Sequence, residues 1–286
     1  MNPDELLTKY EEGERDFCLV DLSGVNLTHA NLREADFTQA NLSHANLLRA
    51  NLCRTTLGTA NLQGAELEGA NLRGADLSGA DLMEANLIAA NLSFASLTGA
   101  DLSCANLMST GLIGSDLNGA NLFRVNLVGA DLRGAKLIGA NLWETNLSGA
   151  YLYETDLSEA YIERVNLQRV LYNEKTLFPE GFDPVDAGAY LIAPSVSLSG
   201  IDLSGIYLAG VNLREANLSG MELRNANLMW ADLKDADLSG ANLMGANLSG
   251  ANLTGANLSG TKLDGANLSG TTMPNGILHN VYEEVR

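Results

Sequence analysis

Carboxylates are the most abundant side chains of this chain that could do chemistry, and their spacing favours no catalytic arrangement. The 286 residues include 35 Asp and Glu residues, which recur in a five-residue frame typical of a flat wall rather than of a paired acid and base. Serines recur in the same frame without a positioned histidine, and glycines recur every five residues instead of forming a phosphate loop before a helix. The sequence therefore predicts a protein that is not an enzyme, with no catalytic residue and no cofactor.

Histidine and cysteine are the other side chains that could bind a metal, and both are few and scattered. The histidines lie far apart in the chain without cysteine or acidic partners at ligand spacing. The cysteines are an odd number, which favours unpaired thiols over a disulfide framework. These residues are His29, His44, His279, Cys18, Cys53 and Cys104. We expect no metal site.

A hydrophobic residue at every fifth position is the dominant pattern of the sequence. From Phe17 to Leu167 and again from Leu198 to Leu268 this position is Leu, apart from Phe17, Phe37 and Ile162. A small residue, usually Ala, stands two positions earlier, and polar residues flank the Leu. This alternation predicts short strands with Ala and Leu on one side. Glycine is frequent two positions after the Leu, where it favours a corner.

One five-residue unit is too small to fold alone. Ordering its backbone costs roughly 5 to 10 kcal/mol, whereas burial of one Leu and one Ala returns about 2 to 4 kcal/mol. Stacked units gain backbone ladders and a continuous Leu column, as in other solenoids.

The frame Ala-Asn/Asp-Leu-x-x resembles the repeat of the bacterial pentapeptide-repeat protein family, and the resemblance covers Phe17 to Met273 with one break. It implies an all-β fold, a right-handed quadrilateral parallel β-helix with four units per coil. The two arrays would then form about 11 to 12 coils.

The chain divides into five predicted segments. Residues 1–16 contain helix signals, Asn2-Pro3 followed by Glu5, and predict a short capping helix. Residues 17–170 form the first array and 196–273 the second. Residues 171–195 form a proline-rich insert in which we expect a short helix from Pro184 to Tyr190, and residues 274–286 form a tail. The insert is either a spacer between two stacked arrays or a hinge or partner site.

Charge and hydropathy define the expected environment and exclude some partners. The formal net charge of −18 disfavours direct binding of nucleic acid. No apolar run is long enough to span a membrane, and residues 1–8 lack a basic-then-apolar leader. We expect a cytoplasmic protein that does not bind membranes.

If every fourth unit falls on the same side, the outward residues of the first array define four faces of different charge. The first acidic face runs through Leu22 and Leu42, and the second acidic face runs through Phe37 and Leu57; each has a net charge of −4. The faces through Leu27 and through Leu32 are neutral and weakly basic. The candidate acidic residues are Asp81, Glu84, Asp101 and Glu144 on the first acidic face and Asp36, Asp76, Asp116 and Asp156 on the second.

These acidic faces have two interpretations. Relatives that protect DNA gyrase resemble B-form DNA in shape and charge, so this chain could be an acidic mimic that binds a DNA-binding enzyme. However, about 55 Å of duplex carries about 32 phosphates, far more than the net charge of −18. A solvated acidic surface that keeps a repetitive β-protein soluble is the alternative.

Outward apolar residues are the stronger indication of a partner, because a core of Leu and Ala needs no exposed aromatic side chains. Patches of this kind mark protein interfaces, although stacked aromatics can also simply stabilise a sheet. The candidate partner surface comprises Phe123, Trp143 and Tyr161 on the first acidic face and Leu48, Ile88, Met108 and Val128 on the neutral face. In the second array, Tyr207, Met229 and Trp230 also share a face.

The residues therefore favour a non-enzymatic scaffold or regulatory protein that binds another protein through one side of its β-helix. The acidic mimic is the alternative. A homodimer through the C-terminal coil is a further possibility, since the tail offers only Ile277, Leu278, Val281 and Tyr282 as apolar covering residues.

Overall fold

The computed structural model describes residues 1–279, which fold as a β-helix solenoid preceded by one short helix. Helix α1 spans Pro3–Glu11, strand β1 spans Leu171–Tyr172 and strand β2 spans Tyr190–Leu191; β1 and β2 pair with each other. The chain divides into two compact units, Met1–Tyr190 and Leu191–Arg286. No helix in the described part of the chain is both long and apolar enough to cross a membrane.

In both units, parallel bridges link each outward residue before a central Leu to the residue twenty positions later. In the first unit, Asp16 pairs with Asp36, and Asp36 with Thr56. In the second unit, Ser197 pairs with Asn217. Twenty residues are four five-residue units, so residues twenty apart stack in one column. The last isolated bridge within the first unit, between Asp156 and Leu177, is offset by 21 residues.

The core of each coil consists of the central Leu and the small inward residue. Central residues such as Leu97 and Leu228 are fully buried, as are Ala100 and Ala226. Each coil donates from the central Leu N to a carbonyl of the next coil, as Leu97 N does to Asp116 O at 2.6 Å. The column of buried Leu and the ladder of backbone hydrogen bonds together supply the stacking energy that one unit lacks.

The second residue after each central position forms the corner, and its backbone lies in the left-handed region. Gly79 has φ 64°, but Glu34 and Phe94 adopt φ 59° and 62° at equivalent corners. The corner therefore accepts residues other than glycine. Glycine is frequent there because it adopts a positive φ at little steric cost.

Helix α1 closes the N-terminal end of the first unit. Its N-cap Asn2 accepts a hydrogen bond from Glu5 N, and Leu6 is fully buried. The N-terminal amine donates to Asp21 O at 3.1 Å, and the Tyr10 hydroxyl donates to Arg33 O at 2.9 Å. These two carbonyls occupy positions that accept from a preceding coil elsewhere in the array, so α1 replaces that coil.

The predicted helix in the insert is wrong. From Pro184 to Gly188 the chain forms a run of turns, in which Gly188 N donates to Val185 O and Ala189 N donates to Pro184 O, both at 2.9 Å. This is a Schellman arrangement, and Gly188 adopts φ 92° within it. The segment therefore ends after a single turn. The aromatic residues of the insert instead pack on β1, with ring centroids of Tyr172 and Phe178 5.3 Å apart.

At the end of the second unit, an antiparallel bridge between Thr272 and Leu278 replaces the parallel ladder. Met273 N donates to Ile277 O at 2.8 Å around a turn that contains Gly276. The central residues of this last coil are half-buried, whereas those of the preceding coils are fully buried; they are Leu258, Leu263, Leu268 and Met273. Val281 and Tyr282 of the predicted tail lie outside the described residues.

Candidate protein-binding surface

The ladder brings Phe123 and Trp143 together on consecutive coils of the first acidic face. Their ring centroids are 5.8 Å apart with an interplanar angle of 59°, a tilted geometry that aromatic pairs prefer. Asn121 Oδ1 accepts from Phe123 N at 3.3 Å, and Asn141 Oδ1 accepts from Trp143 N at 3.1 Å. The side-chain amide of Asn141 also donates from Nδ2 to Asn121 Oδ1 at 3.0 Å. The backbone beneath the aromatic pair is therefore held in place.

Ion pairs flank the aromatic pair at the adjacent corner. Glu144 accepts from Arg124 Nε at 2.7 Å and from Arg164 at 3.3 Å, which holds the pKa of the Glu144 carboxyl below its usual range. The Arg124 guanidinium lies 5.0 Å from the centroid of the Phe123 ring. Glu144, a candidate acidic residue, is thus already paired with two arginines.

Tyr161 lies in the column above Asn141, as the parallel bridge between them requires. Its side chain is 68% exposed, and Trp143 is 44% exposed, whereas Phe123 is half-buried. The three aromatic residues therefore present a graded apolar surface to solvent, most open at Tyr161.

On the neutral face, apolar side chains follow one another on three successive coils. Ala89 N donates to Met108 O, and Ser109 N donates to Val128 O, both at 2.9 Å. Gly69 N in turn donates to Ile88 O at 2.9 Å. Met108 is 38% exposed, whereas Leu48, Ile88 and Val128 are half-buried. Glu68 stands between Leu48 and Ile88, so the continuous stripe comprises Ile88, Met108 and Val128.

The acidic residues of the second acidic face form one column with polar residues between them. Successive bridges run from Asp36 through Thr56 to Asp76 and from Asp116 through Lys136 to Asp156. From Asp36 to Asp156, carboxylates therefore occur on alternate coils, and Lys136 interrupts the column. On the first acidic face, Asp81 and Asp101 pair on adjacent coils.

Comparison with known proteins agrees with this geometry. The pentapeptide repeats family model matches residues 21–58, 60–87, 85–129, 109–137, 130–169, 195–229 and 231–270, which together exceed half of the chain. The chain belongs to the pentapeptide repeat family. No curated protein sequence matches it.

Three solved pentapeptide repeat proteins illustrate the range of similarity. HetL from the cyanobacterium Nostoc sp. strain PCC 7120, involved in heterocyst differentiation regulation, is 33% identical, with 98% of this chain and 100% of HetL covered and a TM-score of 0.34. Rfr23 from the cyanobacterium Cyanothece 51142 is 34% identical over 32% of this chain and 63% of Rfr23, with a TM-score of 0.32. QnrB1, a plasmid-mediated fluoroquinolone resistance protein, is 17% identical over 62% and 91%, with a TM-score of 0.37.

Some exposed residues of this pentapeptide repeat protein were not singled out from its sequence. Phe94 and Leu19 occupy corners and are 56% and 73% exposed. A Cβ built on Gly114 would lie 2.9 Å from the Phe94 ring, so the ring covers the glycine of the next coil. Trp230, which the sequence does place on an outward face with Tyr207 and Met229, is 71% exposed and covers Gly250 in the same way. A large corner residue followed by glycine twenty positions later is the sequence signal for this contact.

The polar chemistry of the repeats is mainly structural. Within residues 1–279 no group of three or more metal-ligating side chains comes together, and Cys18, Cys53 and Cys104 are free thiols. A hydrogen bond to the Asp16 carboxylate raises the pKa of Cys18 to about 11, which keeps that thiol protonated and poorly nucleophilic. Asp and Asn side chains before the central Leu instead accept from the backbone two residues later.

This turn chemistry predicts a pH dependence of stability. Thr38 Oγ1 and Thr38 N donate to Asp36 Oδ1 at 2.5 and 2.9 Å, and mainly the hydroxyl lowers the pKa of Asp36. Because the folded pKa is depressed, the stabilisation is present above the unfolded pKa of about 3.9 and is lost as the pH falls through the folded value. Thermal unfolding between about pH 5 and pH 2 should therefore show a smaller acid-induced loss of stability for Asp36→Asn than for the wild type.

The control for this prediction is Ser43→Ala, which removes an equivalent hydroxyl bond to the neutral amide of Asn41. Its effect on stability should be the same at every pH in this range. If the wild type and Asp36→Asn lost stability in parallel on acidification, the Thr38 contact would not be the cause of the dependence.

Proposed function

We propose that this pentapeptide repeat protein is a non-enzymatic scaffold or regulatory protein that binds another protein through the first acidic face. The observation that carries the proposal is the tilted contact of Phe123 and Trp143, extended by the exposed Tyr161. Aromatic residues are favoured hot spots of protein interfaces. The similarity over nearly full length to HetL, a protein involved in the regulation of differentiation, is consistent with a regulatory role.

We also propose the handedness and cross-section of the coils, the location of the protein in the cell and the bounds of its segments. We infer right-handed, quadrilateral coils, for which the twenty-residue pairing is support, and a cytoplasmic location. The division into a cap (1–16), two arrays (17–170 and 196–273), an insert (171–195) and a tail (274–286) belongs to the same proposal. The stripe on the neutral face, at Ile88, Met108 and Val128 with Leu48, is the second candidate contact area.

The proposal is tested by affinity capture with wild type and with Phe123→Ser plus Trp143→Ser. Because hot-spot truncations cost about 2 kcal/mol or more, we expect the double substitution to reduce capture of the true partner at least about tenfold. The control is Met244→Ser, which changes an exposed apolar residue of the second unit that belongs to neither candidate contact area. Full retention of every captured protein by the double variant would exclude this site.

A second candidate function, the acidic mimic of DNA, is favoured only by the carboxylate column that runs through Asp36, Asp76, Asp116 and Asp156. A gyrase supercoiling assay tests it. If an excess of the protein neither inhibits nor protects gyrase in this assay, gyrase is excluded as the target.

A homodimer through the last coil is the remaining assembly proposal. It is supported by the half-buried Leu258, Leu263 and Leu268 and by the exposed Ile277 and Leu278. Light scattering at high protein concentration tests it, and a monomer would exclude the dimer.

A further inference from the structure

The first acidic face has two chemically different parts along the stack. The upper part is the aromatic cluster of Phe123, Trp143 and Tyr161. The lower part is an acidic cluster of Asp81, Glu84 and Asp101. A continuous column of parallel bridges connects the two parts and runs through Asp81, Asp101, Asn121, Asn141 and Tyr161.

The carboxylates of the acidic cluster form no ion pair within residues 1–279. Asp81 accepts from Met83 N at 3.0 Å, and Asp101 accepts from Ser103 N at 2.9 Å and from Asn121 Nδ2 at 3.1 Å. The outward residues beside them on these two coils are Met83, Ser103 and Cys104. This contrasts with Glu144 above, which two arginines hold, and with the second acidic face, which Lys136 interrupts.

The two parts lie at a distance that one short peptide segment can span. Adjacent coils are about 4.8 Å apart, so Asp101 lies about 5 to 10 Å below the aromatic pair and Asp81 about 10 to 14 Å below it. An extended chain advances about 3.3 Å per residue. About three or four residues therefore separate a group that contacts Trp143 from a group that reaches the acidic cluster.

We propose that the occupant of this face is a basic segment of a partner protein, with an apolar residue on the Phe123 and Trp143 pair and Arg or Lys on the acidic cluster. This rests on the proposed function and adds the chemical class of the partner. Charge complementarity is the reason for the choice, because unpaired carboxylates repel an acidic partner and attract a basic one. The apolar residue supplies desolvated contact area, while the cations fix the direction in which the segment lies.

The probe is a synthetic peptide with the sequence Leu-Leu-Gly-Gly-Ser-Arg-Arg, with a matched peptide that ends in Glu-Glu as its control. The chain contains two tryptophans, so in a Trp230→Phe background the tryptophan fluorescence, excited selectively over that of tyrosine, comes from Trp143 alone. The arginine peptide should change this fluorescence with saturation, and the change should weaken at high salt. The glutamate peptide should give no change.

Removing two carboxylates from one acidic face at a time shows which face binds the arginine residues of the peptide. Asp81→Asn plus Asp101→Asn should weaken binding of the arginine peptide about three- to tenfold, as expected for two exposed ion pairs. Asp76→Asn plus Asp116→Asn removes the same charge from the second acidic face and should change binding by less than about twofold. Asn is the commonest residue at equivalent ladder positions of the repeats, as at Asn121 and Asn141, so all four substitutions are compatible with the fold.

Equal weakening by the two pairs would mean non-specific attraction to an acidic protein and would overturn the inference. Saturation by both peptides, or by neither, would overturn it as well. The proposed function fails separately. If Phe123→Ser plus Trp143→Ser releases a captured partner but the Asp81 and Asp101 substitutions do not weaken the arginine peptide, the aromatic site stands and the basic segment is wrong.

Discussion

Leu228→Ala is expected to lower the free energy of unfolding of the second unit by about 2 to 5 kcal/mol. Leu228 is fully buried and lies in one column with Leu208, Leu248 and Leu268. Coils above and below fix its surroundings, since Leu228 N donates to Asn247 O at 2.7 Å and Leu208 N donates to Asn227 O at 2.7 Å. The core cannot collapse into the cavity without breaking this ladder. Amide hydrogen exchange in the second unit measures the loss directly.

The matched control is Leu268→Ala in the last coil of the same column. Leu268 is only half-buried, so the same truncation removes less buried area and leaves a cavity that solvent can enter. We expect a loss of stability about half as large or smaller. Similar losses at Leu228 and Leu268 would show that position in the stack does not determine the contribution of a core leucine.

The five-residue period predicted the solenoid because it determines which residues are buried. Leu at the centre and Ala two positions earlier can only lie on the same side of a short strand, and the structure buries both. The period does not determine how many units close a coil, since any number of units per turn has the same sequence pattern. The four-unit coil came from the family resemblance, and the bridges between residues twenty apart agree with it.

The insert was mispredicted because its first turn and its termination give conflicting sequence signals. Asp183 followed by Pro184 is a typical helix start, and Asp183 Oδ1 does accept from Val185 N at 2.8 Å. Gly188 follows only four residues after Pro184, which leaves room for one turn before the Schellman closure. The termination at Gly188 therefore limits the segment to one turn, although Asp183 and Pro184 form a normal helix start.

The candidate surface was predictable to the extent that it depends on the coil register. With four units per coil, Phe123 and Trp143 must be neighbours, and their rings are in contact. Phe94 was missed because the direction of a corner side chain depends on the residue one coil later. Only where that residue is glycine, as Gly114 is, can a ring lie across the corner. Pairing of the carboxylates, such as Glu144 with its two arginines, likewise depends on side-chain geometry that the spacing does not specify.

Leu6→Asp is expected to open the N-terminal end of the first unit and to cause self-association. Leu6 is the fully buried residue of α1, and replacing it with a carboxylate combines lost apolar burial with the cost of a buried charge, together about 3 kcal/mol or more. Detachment of α1 would free Asp21 O and Arg33 O, which the N-terminal amine and the Tyr10 hydroxyl now occupy. An uncovered edge of parallel ladders is a template for pairing with another chain.

Hydrogen exchange and light scattering test this prediction together. The amides of Phe17, Leu22 and Leu27, which donate to the second coil, should exchange faster in Leu6→Asp, and the apparent mass should increase with concentration. Thr8→Asp is the control, since Thr8 is exposed on the same helix and its substitution adds the same charge without uncovering the coil. A Leu6→Asp protein that stayed monomeric with unchanged exchange at these amides would show that α1 is not needed to close the stack.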